Sequence, residues 1–314
     1  MTLAIGVDVG GTKVAAGVVD EHGTILAKLR RPTPSASAPD VEKTIADLVT
    51  ELRVDHEVVA IGIGAAGFVD ADRSVVLFAP NLAWRNEPLR SVVGTLVGLP
   101  VVVENDANAA AWGEYRFGAG QGQRDLVCIT VGTGIGGGIV LDGALYRGRF
   151  GIGAEFGHMQ VVPGGRRCGC GQRGCWEQYC SGRALLHAAR EIADVQKEWG
   201  ARLLELGGGR PEGIEAPEVT TAAREGDPAA LACFEEIGQA LGQGMADLAA
   251  ALDPGCFVVS GGVADAGELL LGPARRVFAE RLTGGTHRPH AEIRLAALGN
   301  EAGMVGAADL ARLG

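Results

Sequence analysis

One pattern occurs twice in this chain. Residues 6–19 read GVDVGGTKVAAGVV and residues 128–141 read CITVGTGIGGGIVL. Each is an apolar strand, a glycine-rich turn and a second apolar strand. A duplicated strand–turn–strand unit implies two similar domains, each with one turn whose backbone N–H groups can face an anion. The length agrees, because 314 residues exceed one ordinary core at about 150 residues per domain. With 47% hydrophobic and 21% charged residues, the chain can bury a sizeable interior.

The rest of the chain alternates strand and helix, the signature of an α/β protein. Buried strands are expected at 3–9, 13–20, 24–31, 58–64, 100–105, 125–131, 138–143, 256–262 and 292–298. Helices are expected at 39–53, 87–97, 107–117, 181–199, 228–252, 266–282 and 301–313. The net charge of −10 argues against a nucleic-acid surface, and no apolar run approaches the roughly 20 residues of a membrane span. The start, MTLAIGVDVGG, has no basic segment and meets Asp8 at once, so a secretory signal is not expected and a cytoplasmic location is.

Three glycine turns stand out. The first is Asp8-x-Gly10-Gly11-Thr12-Lys13, where a hydroxyl and a cation join the free amides; it reads either as a phosphate cradle or as a plain hairpin turn. It is not a Walker loop, since GxxxxGK[ST] is absent. The second, Gly132-Thr133-Gly134, is followed by a strand, which argues against a dinucleotide fingerprint. The third, Gly261-Gly262, follows an apolar strand and would let a base or ribose lie against the backbone. Together they favour a bound nucleotide.

Glu104-Asn105-Asp106 ends one strand and opens a helix. Asp106 could take a proton from an attacking hydroxyl or could cap the helix. Asn105 could bond a neighbouring hydroxyl. Glu155, His158 and Glu177 add polar groups suited to a polyhydroxylated ligand, or to a solvated loop. His158 is followed by Cys168, Cys170 and Cys175, three of the seven cysteines, in a glycine-rich stretch. Cys₃His is a structural zinc set, with a redox thiol pair as the alternative. Zinc on one ring nitrogen would fix the tilt of His158 and leave the other nitrogen for a ligand. Cys128 and Cys256 sit in strand-like runs and read as small buried apolar residues.

DVGGTK, ENDANAAAWGE, GTGIGGG, EFGH and CGCGQRGCWE together resemble the ROK family of sugar kinases and repressors, in the family's order and over essentially the whole chain. The resemblance is closest to the family's zinc-containing, ATP-dependent glucose kinases. It implies a two-domain actin-like ATPase fold, ribonuclease H-like and duplicated, with an interdomain cleft. Residues 1–108 and 299–314 would form the small domain, and 109–298 the large one with the zinc loop. It implies ATP with Mg²⁺ as donor, one structural Zn²⁺, D-glucose as acceptor and Asp106 as the general base. Gly67, Asn105, Asp106, Glu155, His158 and Glu177 would line the sugar. Asp8, Gly10, Gly11, Thr12, Lys13, Gly132, Thr133 and Gly134 would face phosphates, and Gly261 and Gly262 the adenosine. A homodimer or homotetramer is implied by analogy. With the first strand beginning by Leu3, no room is expected for the repressors' N-terminal DNA-binding domain. The rival readings are a kinase for another hexose or N-acetylmannosamine, a non-catalytic sugar-sensing regulator, and a kinase using polyphosphate as donor.

Overall fold

The computed structural model describes residues 2–314. The chain opens with β1 (Leu3–Val9), β2 (Lys13–Val19), β3 (Ile25–Pro32), α1 (Ala38–Leu52) and β4 (Val58–Ala65). Then come three short strands, β5 (Phe68–Val69), β6 (Val76–Phe78) and β7 (Arg85–Glu87), then α2 (Leu89–Val97), β8 (Val101–Asn105) and α3 (Asp106–Phe117). The second half runs β9 (Leu126–Val131), β10 (Ile135–Leu141), β11 (Ala144–Tyr146), α4 (Glu177–Cys180), α5 (Gly182–Val195), α6 (Ala201–Leu206), α7 (Ala216–Arg224) and α8 (Pro228–Leu252). It closes with β12 (Cys256–Ser260), α9 (Glu268–Arg281), β13 (Glu292–Leu295) and α10 (Ala302–Leu313).

The duplication is present in the sheets. One has the order β3-β2-β1-β4-β8 and the other β11-β10-β9-β12-β13. In both, three strands in sequence order form a meander and two further strands are added beyond the first. In the first sheet β2 is antiparallel to β1 and β3, while β4 and β8 are parallel additions. In the second, β10 and β11 are antiparallel and β12 and β13 parallel. This repeated order is the duplication expected from the two glycine-turn units. Cys128 and Cys256 are both fully buried strand residues.

The chain packs as two compact units. The first comprises the residues up to Cys128, Gly137–Ala154 and Ala296–Gly314; the second comprises Ile129–Gly136 and Glu155–Leu295. In the first, α1 and α2 cover one face of the sheet through Ile45, Leu48, Leu89 and Val93, all fully buried. The opposite face is closed by α10, which lies almost against the backbone: a Cβ on Gly6 or Gly62 would fall 1.8 Å from the carbonyl oxygen of Met304 or Ala307. Helix α3 joins α10 there, with the Trp112 indole donating to Asp309 at 2.9 Å.

Several elements differ from the sequence expectation. The helix expected over 181–199 ends at Val195, where the chain turns back and Gly200 packs against Ala193. The strand expected over 292–298 ends at Leu295, because the N–H groups of Ala297 and Leu298 turn to the Glu114 carboxylate at 3.0 and 2.7 Å. The sheet β5-β6-β7 was not anticipated, since strands of two or three residues are too short for alternation to register, and neither was helix α7. No helix among the described residues is long and apolar enough to cross a membrane.

Candidate active site and metal centre

In the first unit, the C-terminal ends of the parallel strands β1, β4 and β8 lie side by side, with Val9 opposite Ala65 and Ala65 opposite Asn105. Ligands in open α/β sheets are met at such an edge. It carries the first glycine turn, Gly67 and the Asn105–Asp106 pair. In the turn, Gly10 N–H bonds to Lys13 O at 3.0 Å, and the Thr33 hydroxyl donates to Gly10 O at 2.7 Å. Asp8 borders a cavity of about 330 Å³ with Lys13, Lys28, Arg30 and Glu301. Burial raises the Asp8 carboxyl above the usual range; Lys13 opposes this and Glu301 adds to it.

Asp106 is the first residue of α3, and Asn105 is its cap: Asn105 Oδ1 accepts the Asn108 N–H at 3.0 Å. Such a cap contributes about 1 kcal/mol. The capping that Asp106 could have performed therefore falls to its neighbour. Asn105 Nδ2 donates both to Gly67 O and to Asp106 Oδ1, each at 3.1 Å. Asp106 is half-buried at a helix N-terminus, where the helix dipole favours an ionised carboxylate. Gly67 is held tightly as well, since a Cβ there would fall 2.4 Å from Phe78 O. One neighbour of this edge was not singled out in the sequence: Asn81, on the loop after β6, lies against Gly11, whose Cβ would be 3.0 Å from its own.

In the second unit, the backbone explains how the cysteine loop forms. Gln160 bridges Cys175 and Arg167 bridges Arg173, so the loop folds as a small antiparallel clip. A tight turn, with Cys168 N–H on Gln172 O and Gly171 N–H on Cys168 O, brings Cys168 and Cys170 over it. Trp176, 1% exposed, anchors the clip by donating its indole N–H to Ala240 O of α8 at 2.8 Å.

The clip gathers all four expected ligands. The donor atoms of His158, Cys168, Cys170 and Cys175 lie within 4.8 Å of one another. His158 Nδ1 is 3.5 Å from Cys168 Sγ, and Cys170 Sγ is 3.6 Å from Cys175 Sγ. Bonds of about 2.3 Å to sulfur and 2.0–2.1 Å to nitrogen give tetrahedral edges of roughly 3.4–3.8 Å, so the measured pairs fit a four-coordinate ion. The set offers an ion three thiols and one imidazole at distances compatible with tetrahedral coordination.

Glu177 stands beside it, 8% exposed, with Oε1 3.0 Å from Cys168 Sγ. The second and third glycine turns meet here. Gly132 O accepts the Gly182 N–H at the start of α5 at 2.8 Å. Gly261, at φ +93°, packs on Val131, whose carbonyl accepts the Val263 N–H at 3.1 Å. Glu155 precedes the single turn of 3₁₀ helix that carries His158. Desolvation raises its carboxyl above the usual range although the residue as a whole is exposed; His158 opposes this and Glu177 adds to it.

A model of the ROK family matches residues 4–313. The chain belongs to the ROK family. It is 55% identical over 312 residues to a glucokinase of Streptomyces coelicolor, covering 99% of this chain and 98% of that one. A glucokinase of Thermotoga maritima is 39% identical over 311 residues, covering 98% and 96%. Among solved structures, a ROK family glucokinase from Streptomyces griseus, in complex with glucose and AMPPNP, superposes with a TM-score of 0.89 at 57% identity, covering 99% of this chain and all of that one. The fold is therefore that of the ROK sugar kinases, the actin-like ATPase fold.

Proposed function

We propose that this protein transfers the γ-phosphoryl group of ATP to the 6-hydroxyl of D-glucose, giving ADP and glucose 6-phosphate. Full-length similarity to glucokinases supports the reaction. The observation that carries the mechanism is that Asn105 caps α3 and, from that fixed position, orients the Asp106 carboxylate through a hydrogen bond to its Oδ1.

Asp106 accepts the proton of the sugar hydroxyl as its oxygen attacks phosphorus, a step worth roughly 10²–10⁴-fold for a positioned base. Gly67, Asn105, Glu155, His158 and Glu177 hold the other hydroxyls. Both amide hydrogens of Asn105 are engaged, so its remaining role toward a sugar is as an acceptor through Oδ1. The first glycine turn with Asp8, Thr12 and Lys13, and the second with Gly132, Thr133 and Gly134, bind phosphates; Gly261 and Gly262 face the adenosine. A Mg²⁺ carried by the nucleotide would offset phosphate charge next to Asp8.

The Cys₃His set is read as a structural zinc site. Zinc there fixes ring orientation and tautomer, and with Nδ1 on the cluster side, Nε2 of His158 is free to meet a hydroxyl. The reading includes a cytoplasmic homodimer or homotetramer. The test is a coupled assay on a panel of glucose, mannose, fructose and N-acetylmannosamine, with ATP or polyphosphate as donor. Glucose with ATP is expected to give the highest kcat/KM; a better sugar or donor would overturn the assignment.

A further inference from the structure

The residue before Asn105 and Asp106 is a buried carboxylate that the proposed mechanism does not use. Glu104 is 1% exposed. Its Oε1 accepts the Asn105 N–H at 2.9 Å and the Asn108 side-chain amide at 3.2 Å. Both donors belong to the first turn of α3 or its cap. Its Oε2 lies 2.8 Å from Arg147 Nε and 3.2 Å from Arg73 Nε.

Each arginine is itself held. The two terminal nitrogens of Arg147 donate to Ala71 O and Asp70 O, both at 2.9 Å. Arg73 sits at φ +54°, a conformation that lets its carbonyl accept the Val103 N–H of β8 at 3.1 Å. The Asp70 carboxylate closes that turn by accepting the N–H groups of Ser74 and Val75 at 2.8 and 3.0 Å. A chain of contacts thus runs from Arg147 to Glu104, to Asn105, to Asp106 Oδ1.

A buried ion pair is weak evidence for stability, because desolvation of both charges offsets their attraction. An apolar pair would serve the core at least as well. What an apolar pair cannot do is direct an acceptor at the Asn105 N–H and fix the first turn of α3. The geometry points to the Arg147–Glu104 pair as the positioning device for the base: Glu104 sets the angle of Asn105, and Asn105 sets the rotamer of Asp106. Arg147 acts through Glu104 and touches no reacting atom. The inference rests on reading Asp106 as the base.

The test measures kcat and both KM values for the full chain carrying Arg147→Ala or Glu104→Gln, each also in an Asp106→Asn background. Arg147→Ala is expected to lower kcat roughly 10- to 100-fold, the scale of a small misplacement of a catalytic group, with the KM for ATP within about twofold. Added ethylguanidinium is expected to restore part of that loss. In the Asp106→Asn background, where no base remains to be placed, the same change is expected to cost little further. If Arg147→Ala does not fold, Arg147→Lys, which keeps the charge but not the planar fork, is put through the same comparison. A folded variant with wild-type kcat, or an equal fractional loss with and without Asp106, would overturn the proposal. A wild-type chain that does not phosphorylate glucose would instead overturn the functional reading.

Discussion

Gly134 lies so close to Glu177 that a Cβ at position 134 would sit 2.4 Å from Glu177 Oε2. The second glycine turn and the acid beside the cysteine clip therefore share one packed contact. Gly134→Ala must displace either the turn or the carboxylate, and both are assigned to substrate. The expected result is a loss of at least tenfold in kcat/KM for glucose, as a shift of about 1 Å in a positioned group can cost 10²-fold. Thermal unfolding is expected to move by only a few degrees. Steady-state kinetics beside a melting curve checks this.

His158 Nδ1 and the three sulfurs give a second prediction. Elemental analysis should find one zinc per chain, and Cys170→Ser should abolish it. Cys170 is the exposed member of the set, so this substitution disturbs the core least. Losing the ion frees the His158 ring, and the expected outcome is weaker glucose binding, by roughly 10–100-fold, with a smaller change in nucleotide affinity. Calorimetric titration of each ligand, before and after chelation, measures both. Active protein without zinc would reject the clip.

How much of this was legible in the sequence follows from the kind of signal involved. The duplicated strand–turn–strand units were readable because continuous apolar runs and glycine turns are local. The cluster of His158, Cys168, Cys170 and Cys175 was readable because its spacing is local too. Glu104, Arg73 and Arg147 were not: their pairing joins positions far apart in the chain, and no local pattern reports it. The glycines were only half understood. Gly134 and Gly261 do lie at candidate ligand turns, but Gly6 and Gly62 are small because α10 lies on them. Which of those two demands selects a glycine depends on a partner helix at the far end of the chain, through Met304 and Ala307.

Away from the site, Glu42 of α1 is 6% exposed with Oε1 lacking a partner. Burial, the charge of Glu87 and a hydrogen bond with Glu87 push its carboxyl from 4.5 up to about 7. A folded-state value above the unfolded one means that the folded chain holds this proton more tightly. The contribution to stability is then complete below about pH 4.5 and is lost as pH rises through about 7. Glu42→Gln keeps the neutral shape and removes the titration. Its melting temperature is expected to exceed that of the wild type above pH 7 and to vary less with pH between 5 and 8. Melting curves across that range check it; parallel curves for the two proteins would show that Glu42 does not titrate there.

The last prediction concerns the base. Asn105 donates to Asp106 Oδ1 and to Gly67 O, so the carboxylate is oriented by a neighbour that is itself fixed at both ends. Asp106→Asn preserves size and the Oδ1 acceptor that Asn105 meets while removing basicity. A fall in kcat of about 10²–10⁴-fold is expected, with glucose affinity within a few-fold, because the ground-state contacts of the other sugar-binding groups survive. Asp106→Ala should behave differently: it also frees the Asn105 amide, so glucose affinity should drop together with kcat. Measuring binding by calorimetry and turnover by the coupled assay separates the two variants. Near-normal turnover in Asp106→Asn would place the base on another residue.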